Sequence, residues 1–201
     1  MDTFDAVEQR RSIKHFDKNH KLSESEIEKL LSLAILSPTS YNIQNWRFVL
    51  VKDSETRKKI RSAAWDQAQV TDSSLLLILC ADLKSWKKQP ERYWKTAPKE
   101  IQDMFVKMIG DFYDGKEQLQ RDEAMRSCGI AAQTLMLTAK AMGYDSGAMI
   151  GFDPQKVAEI INLPEDHVIG LMVVVGKQVK PASPRGGQLP LSDIVFTDRF
   201  I

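Results

Sequence analysis

Residues 124–142 read "AMRSCGIAAQTLMLTAKAM". Small and apolar side chains fall almost all round a helix here, and charge enters only at Arg126 and Lys140. The pattern predicts a helix over 121–142, with Gly143 suited to cap its end. A helix without a broad polar face is buried on several sides. In a chain of 201 residues, enough for one domain with a substantial core, it has to be central or lie in a subunit interface. Ala131 and Ala132 are the interface positions on the second alternative.

Other elements follow outward from this helix. Toward the C-terminus, Asp153-Pro154 opens a helix with Pro in its first turn and Val157, Ile160 and Ile161 on its apolar face. "HVIGLMVVVGK" at 167–177 reads as a buried strand, and the tail from about 180 is rich in Pro and Gly. Toward the N-terminus, residues 99–113 are helical by spacing, and 84–98 reads as loops and short helical pieces. "LLLILCA" at 75–81 reads as a buried strand. Residues 54–64 read as a helix with Arg57, Lys58, Lys59 and Arg61 on a solvated face. "RFVLVKD" at 47–53 reads as another strand. Ser23 and Glu26 form a capping-box pattern before Ile27, Leu30, Leu31, Ala34 and Ile35 at helical spacing. That helix stops at or before Ser37, because Pro38 disfavours helical geometry in the residue preceding it. Residues 3–10 form a short helix with Phe4 and Val7 on one face. No repeat or linker divides the chain, so residues 1–201 read as one domain. Alternating helices and strands give an α/β or α+β class, a small sheet covered by helices.

Composition narrows the function. Hydrophobic residues are 43% and charged residues 27%, ordinary for a globular protein. Lys plus Arg is 28 and Asp plus Glu is 27, a net charge of +1, which predicts no strong field toward nucleic acid or anionic membrane. Cys80 and Cys128 read as buried free thiols. The start "MDTFDAVEQRRS" has neither the basic region nor the apolar stretch of a signal peptide, and "LLLILCA" is too short to span a bilayer. A cytoplasmic protein is expected. His15, His20 and His167 show no metal spacing. G-x-G-x-x-G, the P-loop and G-x-S-x-G are all missing, which disfavours a Rossmann dinucleotide fold, a P-loop and a nucleophile elbow.

Three stretches could hold a ligand. In "RRSIKHF", Arg10, Arg11, Ser12 and Lys14 put three cations and a hydroxyl within five positions. Extended chain after Arg10 would set Arg10, Ser12 and Lys14 on one side. Arg forks, a Lys point charge and a hydroxyl suit a phosphate monoester; a solvated basic turn is the other reading. "SPTSYNIQNWRF" at 37–48 either satisfies its own turn with Ser37, Thr39, Ser40 and Asn42 or hydrogen-bonds a ligand at a subunit boundary. "GAMIGFDP" at 147–154 either lets backbone approach a flat ligand at Gly151 or is a routine strand-to-helix turn.

The order of these pieces resembles the nitroreductase family: "RRSxKxF" near the start, "SPTSxNxQxWRF" after a helix, "GFDP" after a long central helix, and a late Arg before a "PL" tail. The resemblance covers nearly the whole chain. It implies an α+β three-layer sandwich, with a small, mostly antiparallel sheet between helices. It also implies a homodimer with FMN at the subunit interface and a C-terminal arm, about 180–201, on the partner. Helix 121–142 would be the main interface helix. Carried over residue by residue, Arg10, Arg11, Ser12 and Lys14 match the group at the phosphate, ribityl and pyrimidine ends of FMN. Pro38, Thr39, Ser40 and Asn42 match residues reaching the flavin from the other subunit. Gln69 matches a contact to the flavin ring, Met149, Ile150 and Gly151 the turn passing close to it, and Arg185 the late phosphate-binding Arg. Trp46 is expected beneath the 37–42 turn as core. Ala148 and Ile150 depart from the Pro and Glu of some members, and Ser183 from a Lys.

The activity so implied is hydride transfer from NAD(P)H through FMN to a nitroaromatic, quinone or related acceptor by a ping-pong mechanism. The cofactor carries the chemistry, so no side chain is assigned as catalytic and no metal is expected. A family member with a specialised dehydrogenase or flavin-fragmenting reaction is one alternative. A non-catalytic flavin-binding or regulatory dimer is another. A nucleic-acid-binding dimer lacks basic residues interleaved with aromatics.

Overall fold

The computed structural model describes residues 1–200; Ile201, the last residue of the expected arm, lies outside the described residues. Four strands form one sheet in the order β1 (Trp46–Leu50), β2 (Leu75–Asp82), β4 (His167–Gly176), β3 (Asp145–Met149), and every pairing is antiparallel. β2 is buried along its whole length. Its alternate side chains feed two separate cores, as the two-residue period of a strand requires. Leu75, Leu77, Leu79 and Ala81 join Val173 and Val175 of β4 on one face. Leu76, Ile78 and Cys80 join Met172 and Val174 on the other.

The first face is covered by α2 (Glu24–Ala34) and α6 (Glu117–Ala141), through Ile27, Leu30, Ala34, Ala131, Ala132 and Leu135. The second is covered by α3 (Ser54–Ala63) and α7 (Pro154–Ile160), through Ile60, Ala63 and Val157, together with Ile13 and Phe16. The result is the expected sandwich of helices, sheet and helices. α1 (Thr3–Gln9) lies against α6, while α4 (Gln69–Asp72) precedes β2. α5 (Lys99–Tyr113) follows short 3-10 turns at 85–87 and 90–94, and α8 (Leu191–Ile194) lies in the exposed tail. No described helix is long and apolar enough to cross a membrane.

Local sequence accounts for most boundaries. Ser23 and Glu26 close the capping box of α2. Asp153 accepts from the N–H groups of Gln155 and Lys156, at 3.1 Å each, to start α7. Gly143, at φ +80°, ends α6 as a residue without Cβ does most easily, and the Tyr144 N–H returns to the Ala139 carbonyl at 2.8 Å. α6 begins four residues before the expected 121. Buried Gln120 extends it by donating to the Tyr113 carbonyl at 2.8 Å and accepting from Lys84 at 2.8 Å.

One alternative is decided and one sequence expectation is corrected. Ala131 and Ala132 are buried within the chain, against the sheet, rather than presented to a partner; the exposed side of α6 carries Gly129, Ile130 and Gln133. Arg57 is not on a solvated face. Its guanidinium donates to the carbonyls of Val51 (2.9 Å), Ser73 (2.6 Å) and Ser74 (3.3 Å), tying α3 to the start of β2.

The start of α2 is also a pH-sensitive joint. The Tyr144 hydroxyl donates to Glu26, and so do the Ser23 N–H and hydroxyl, at 2.8 and 2.7 Å. These bonds lower the Glu26 carboxyl from 4.5 to about 2. A depressed carboxylate stabilises the fold fully above its unfolded value. That contribution is lost as pH falls from about 4.5 toward about 2. Tyr144→Phe is therefore expected to flatten the acid limb of stability in this window, as measured by urea unfolding at successive pH values. An acid limb of unchanged slope would show that Tyr144 does not set the Glu26 pKa.

Candidate functional site

The chain leaves α1 at Arg10, whose N–H still bonds the Ala6 carbonyl, and runs beside the edge strand β3. Ser12 bridges Ser146 in parallel, and the Ile13 N–H donates to the Ser146 carbonyl at 2.9 Å. Gly147 permits this approach: a Cβ there would sit 2.8 Å from the Ile13 carbonyl oxygen. Ile13 is buried in the second core, so its neighbours Ser12 and Lys14 face outward. This is the alternation expected of "RRSIKHF".

Against this segment folds the beginning of the tail. Arg185 Nη2 donates to the carbonyls of Glu8 (2.8 Å) and Arg10 (3.2 Å), and Arg11 Nη2 donates to the Ser183 carbonyl. Together they border an open cavity of about 470 Å³ lined by Arg10, Arg11, Ser12, Lys14, Lys180 and Arg185 among others. Its cations form no ion pair among the described residues. The buried Ser146 hydroxyl beside Ser12 makes no hydrogen bond there either. A phosphate monoester supplies what such a cavity lacks: two negative charges and acceptor oxygens for Arg forks and a hydroxyl. The donor set therefore fits an FMN phosphate. Ser183, where some family members carry Lys, contributes its carbonyl oxygen to the wall.

The other sequence-selected residues lie outside this cavity. Pro38, Thr39, Ser40 and Asn42 form the turn between α2 and β1, a tight one with Tyr41, Asn42 and Gln44 all left-handed (φ 50°, 55°, 40°). The turn uses many of its own polar groups. The Gln44 N–H donates to Thr39 Oγ1 (3.0 Å), the Ser40 N–H to Glu123 (3.1 Å), and Asn42 Nδ2 to the Tyr93 carbonyl (2.8 Å). The Ser37 hydroxyl is buried on Thr134 of α6 at 2.9 Å. Trp46 is core, packed with the first face. Pro38 and Asn42 remain exposed.

At the end of β3, Met149 turns into the second core and Ile150 is 79% exposed. Any approach of Met149 to a ligand is through its backbone. Gln69 is buried and donates to Gln67 Oε1 at 2.9 Å, and Gln67 donates in turn to the Gly151 carbonyl at 2.7 Å. Trp65 lies against Gly151. Sequence reading passed over Trp65 and Gln67. "WDQ" follows a helix like any polar turn, and no local signal announces its left-handed backbone.

A further polar cluster lies at the far end of β2. Asp82 is 3% exposed and accepts from Arg47 (3.2 Å) and Lys88 (3.0 Å). Lys88 also binds Asp166 at 2.6 Å, which holds that carboxyl below its ordinary range, and Asp166 meets His167 at 2.7 Å. Asp82, Asp166 and His167 bring potential metal-ligand atoms within 4.8 Å of one another, but the Lys88 ammonium already stands between the carboxylates. Cys80 and Cys128 are buried and unpaired, and burial pushes both thiols up to about 12.

The Nitroreductase family model matches residues 7–177. The chain belongs to the nitroreductase family. Protein DrgA of Synechocystis sp. is 53% identical over 200 residues, 97% of this chain and 95% of that protein. The oxygen-insensitive NADPH nitroreductase of Helicobacter pylori is 30% identical over 200 residues, 94% of each chain. Among solved structures, a protein described as a nitroreductase in complex with FMN, from Exiguobacterium sibiricum, superposes with a TM-score of 0.91. It is 30% identical over 98% of both chains. The α+β sandwich is thus the nitroreductase fold. The family match begins at residue 7, so it includes the cationic segment, and ends at 177, before the tail that carries Arg185.

Proposed function

We propose that this nitroreductase-family chain is an FMN-dependent oxidoreductase that moves hydride from NAD(P)H to nitroaromatic, quinone or related acceptors. The observation that carries the proposal is the cationic cavity beside β3, on the strand that leads to the Gly151 turn. When bound, FMN supplies the centre that accepts hydride from the donor and yields it to the acceptor. Arg10, Arg11, Ser12, Lys14 and Arg185 hold the phosphate and ribityl end. Lys14 also stabilises negative charge at the pyrimidine end. Gln69 and the backbone of Met149, Ile150 and Gly151 border the ring. Donor and acceptor use one pocket in turn, which predicts ping-pong kinetics. The two buried unpaired thiols fit a reducing compartment, and the reading keeps the enzyme in the cytoplasm.

The enzyme works as a homodimer, with Pro38, Thr39, Ser40 and Asn42 reaching the flavin of the other subunit. Apolar side chains exposed on one chain favour this: Phe4 on α1, Leu36 after α2, Ile130 on α6, and Val195 and Phe200 in the tail. Each is free to meet a partner, and two of them belong to the arm expected to reach across to it. Ile130→Arg is expected to raise the dimer dissociation constant at least tenfold in sedimentation equilibrium, with the subunit fold intact. A dimer of unchanged affinity would take α6 out of the interface.

The decisive experiment is an absorbance spectrum of purified protein, followed by anaerobic addition of NADH and then NADPH. Flavin bands that bleach are expected. Bands that persist would favour a binding protein or a specialised reaction over the proposal. Protein that takes up no FMN on reconstitution would overturn it.

A further inference from the structure

Three of the four tryptophans are packed. Trp46 and Trp86 are buried, and Trp94 stacks on Phe105 at 3.7 Å between ring centres. Trp65 is 71% exposed. It also adopts a left-handed backbone, φ 52°, and so does Asp66, φ 57°. Bulky residues seldom take that conformation, because Cβ crowds the following carbonyl. An indole this exposed gains little from burial, and backbone strain tends to persist where function requires it.

The strain is held from several directions. Asp66 returns its N–H to the Arg61 carbonyl (3.0 Å) and accepts from Arg61 Nε (2.7 Å). The Gln67 N–H bonds the Ala64 carbonyl at 3.1 Å, and Gln67 Nε2 grips the Gly151 carbonyl. These bonds set one edge of the indole against the Gly151 turn. A Cβ on residue 151 would lie 2.7 Å from Cζ3 and 3.4 Å from Cε3 of Trp65. Only glycine admits the ring so close. Beside it stands Ile150, whose side chain is also exposed.

We infer that Trp65 is the aromatic wall of the substrate pocket, the surface on which a flat conjugated ring stacks beside the Gly151 turn. This rests on the FMN reading above and adds to it a preference for planar substrates. Nitroaromatic and quinone rings are flat and electron-poor, and the electron-rich indole face offers them offset stacking. Trp65 is a positioning residue and exchanges no proton or electron.

The test uses oxidised holoenzyme and two redox-inert neutral amides. Benzamide is flat; cyclohexanecarboxamide has the same amide on a puckered ring. Each is titrated against the visible flavin spectrum in wild type, Trp65→Gly and Trp65→Phe. Trp65→Gly is expected to weaken benzamide roughly five- to tenfold, the factor that aromatic stacking supplies, and to change cyclohexanecarboxamide by less than about twofold on the same grounds. Trp65→Phe keeps most of the benzamide affinity. Glycine suits the left-handed backbone, so Trp65→Gly is expected to melt no lower than wild type, and FMN affinity stays the same. Unchanged benzamide binding in Trp65→Gly, or equal weakening of both amides, would overturn the inference while leaving the FMN reading standing. Wild-type protein that retains no FMN would overturn both.

Discussion

Gly170→Val is expected to destabilise the fold by about 3 kcal/mol, the upper end of what overpacking a close-packed interior costs. Gly170 lies on β4, where the pairing with β2 slips between Leu79 and Cys80 and Cys128 of α6 packs against the strand. A Cβ at this position would meet Cys128 Cβ at 2.6 Å, Cys128 Sγ at 2.9 Å and the Leu79 carbonyl oxygen at 3.3 Å. The first contact has no rotamer escape, since Cβ moves only with the helix backbone. Valine adds two further methyl groups to a region where Cys128, Ala131 and Ala132 are already without solvent contact. For a chain of this size each kcal/mol lowers Tm by about 2–4 °C, so a fall of about 6–12 °C is expected. Thermal and urea unfolding check this together. A loss below about 1 kcal/mol, less than overpacking normally costs, would mean that α6 rides higher on the sheet than described.

Arg10→Ala and Arg185→Ala are each expected to weaken FMN binding about 30-fold, or about 2 kcal/mol, the size of one charge-assisted hydrogen bond. Neither guanidinium pairs with a carboxylate among the described residues, so their charge is available to a phosphate. Riboflavin, which has no phosphate, separates this effect from a general loosening of the cavity: its affinity is expected to stay within about twofold in Arg10→Ala, since no bond to phosphate is removed. Arg185 has a second task, because it holds the tail through the Glu8 and Arg10 carbonyls. Arg185→Lys keeps the charge and loses the fork, so it is expected to fall between wild type and Arg185→Ala. Titration of apoprotein with FMN and riboflavin measures all of these. FMN affinity unchanged in both alanine variants would remove the phosphate from this cavity.

The clearest sequence signals were local ones. Ser23 and Glu26 announced the start of α2, Gly143 the end of α6, and Asp153-Pro154 the start of α7. Each acts on backbone groups within a few residues, so each is complete in the chain itself. β2 and β4 were equally plain, as apolar runs with no polar face. β3 was harder to see: "DSGAM" has no β-branched residue and holds its place by pairing with Met172–Gly176. The alternation about Ile13 correctly turned Ser12 and Lys14 outward, because a single buried isoleucine determines the facing of its neighbours in extended chain.

By itself, then, the sequence determined the starts of α2 and α7, the end of α6, the two central strands, the family and the cationic segment, all of which rest on short-range periodicity, caps and ordered motifs. Tertiary structure alone decided which face a residue shows and what it meets there. Ala131 and Ala132 are small and apolar, which suits a sheet as well as a partner, and only their burial in one core with the β2 and β4 side chains sets them against the sheet. Arg57 carries a surface residue's charge, but it folds inward to carbonyls that come from sixteen and seventeen residues away. Arg185 meets Glu8 and Arg10 across more than 170 residues of chain, and Trp65 meets Gly151, which lies on the far side of β2 and α6 in the sequence. Contacts of that range depend on how layers stack, and no residue carries that information in its neighbours.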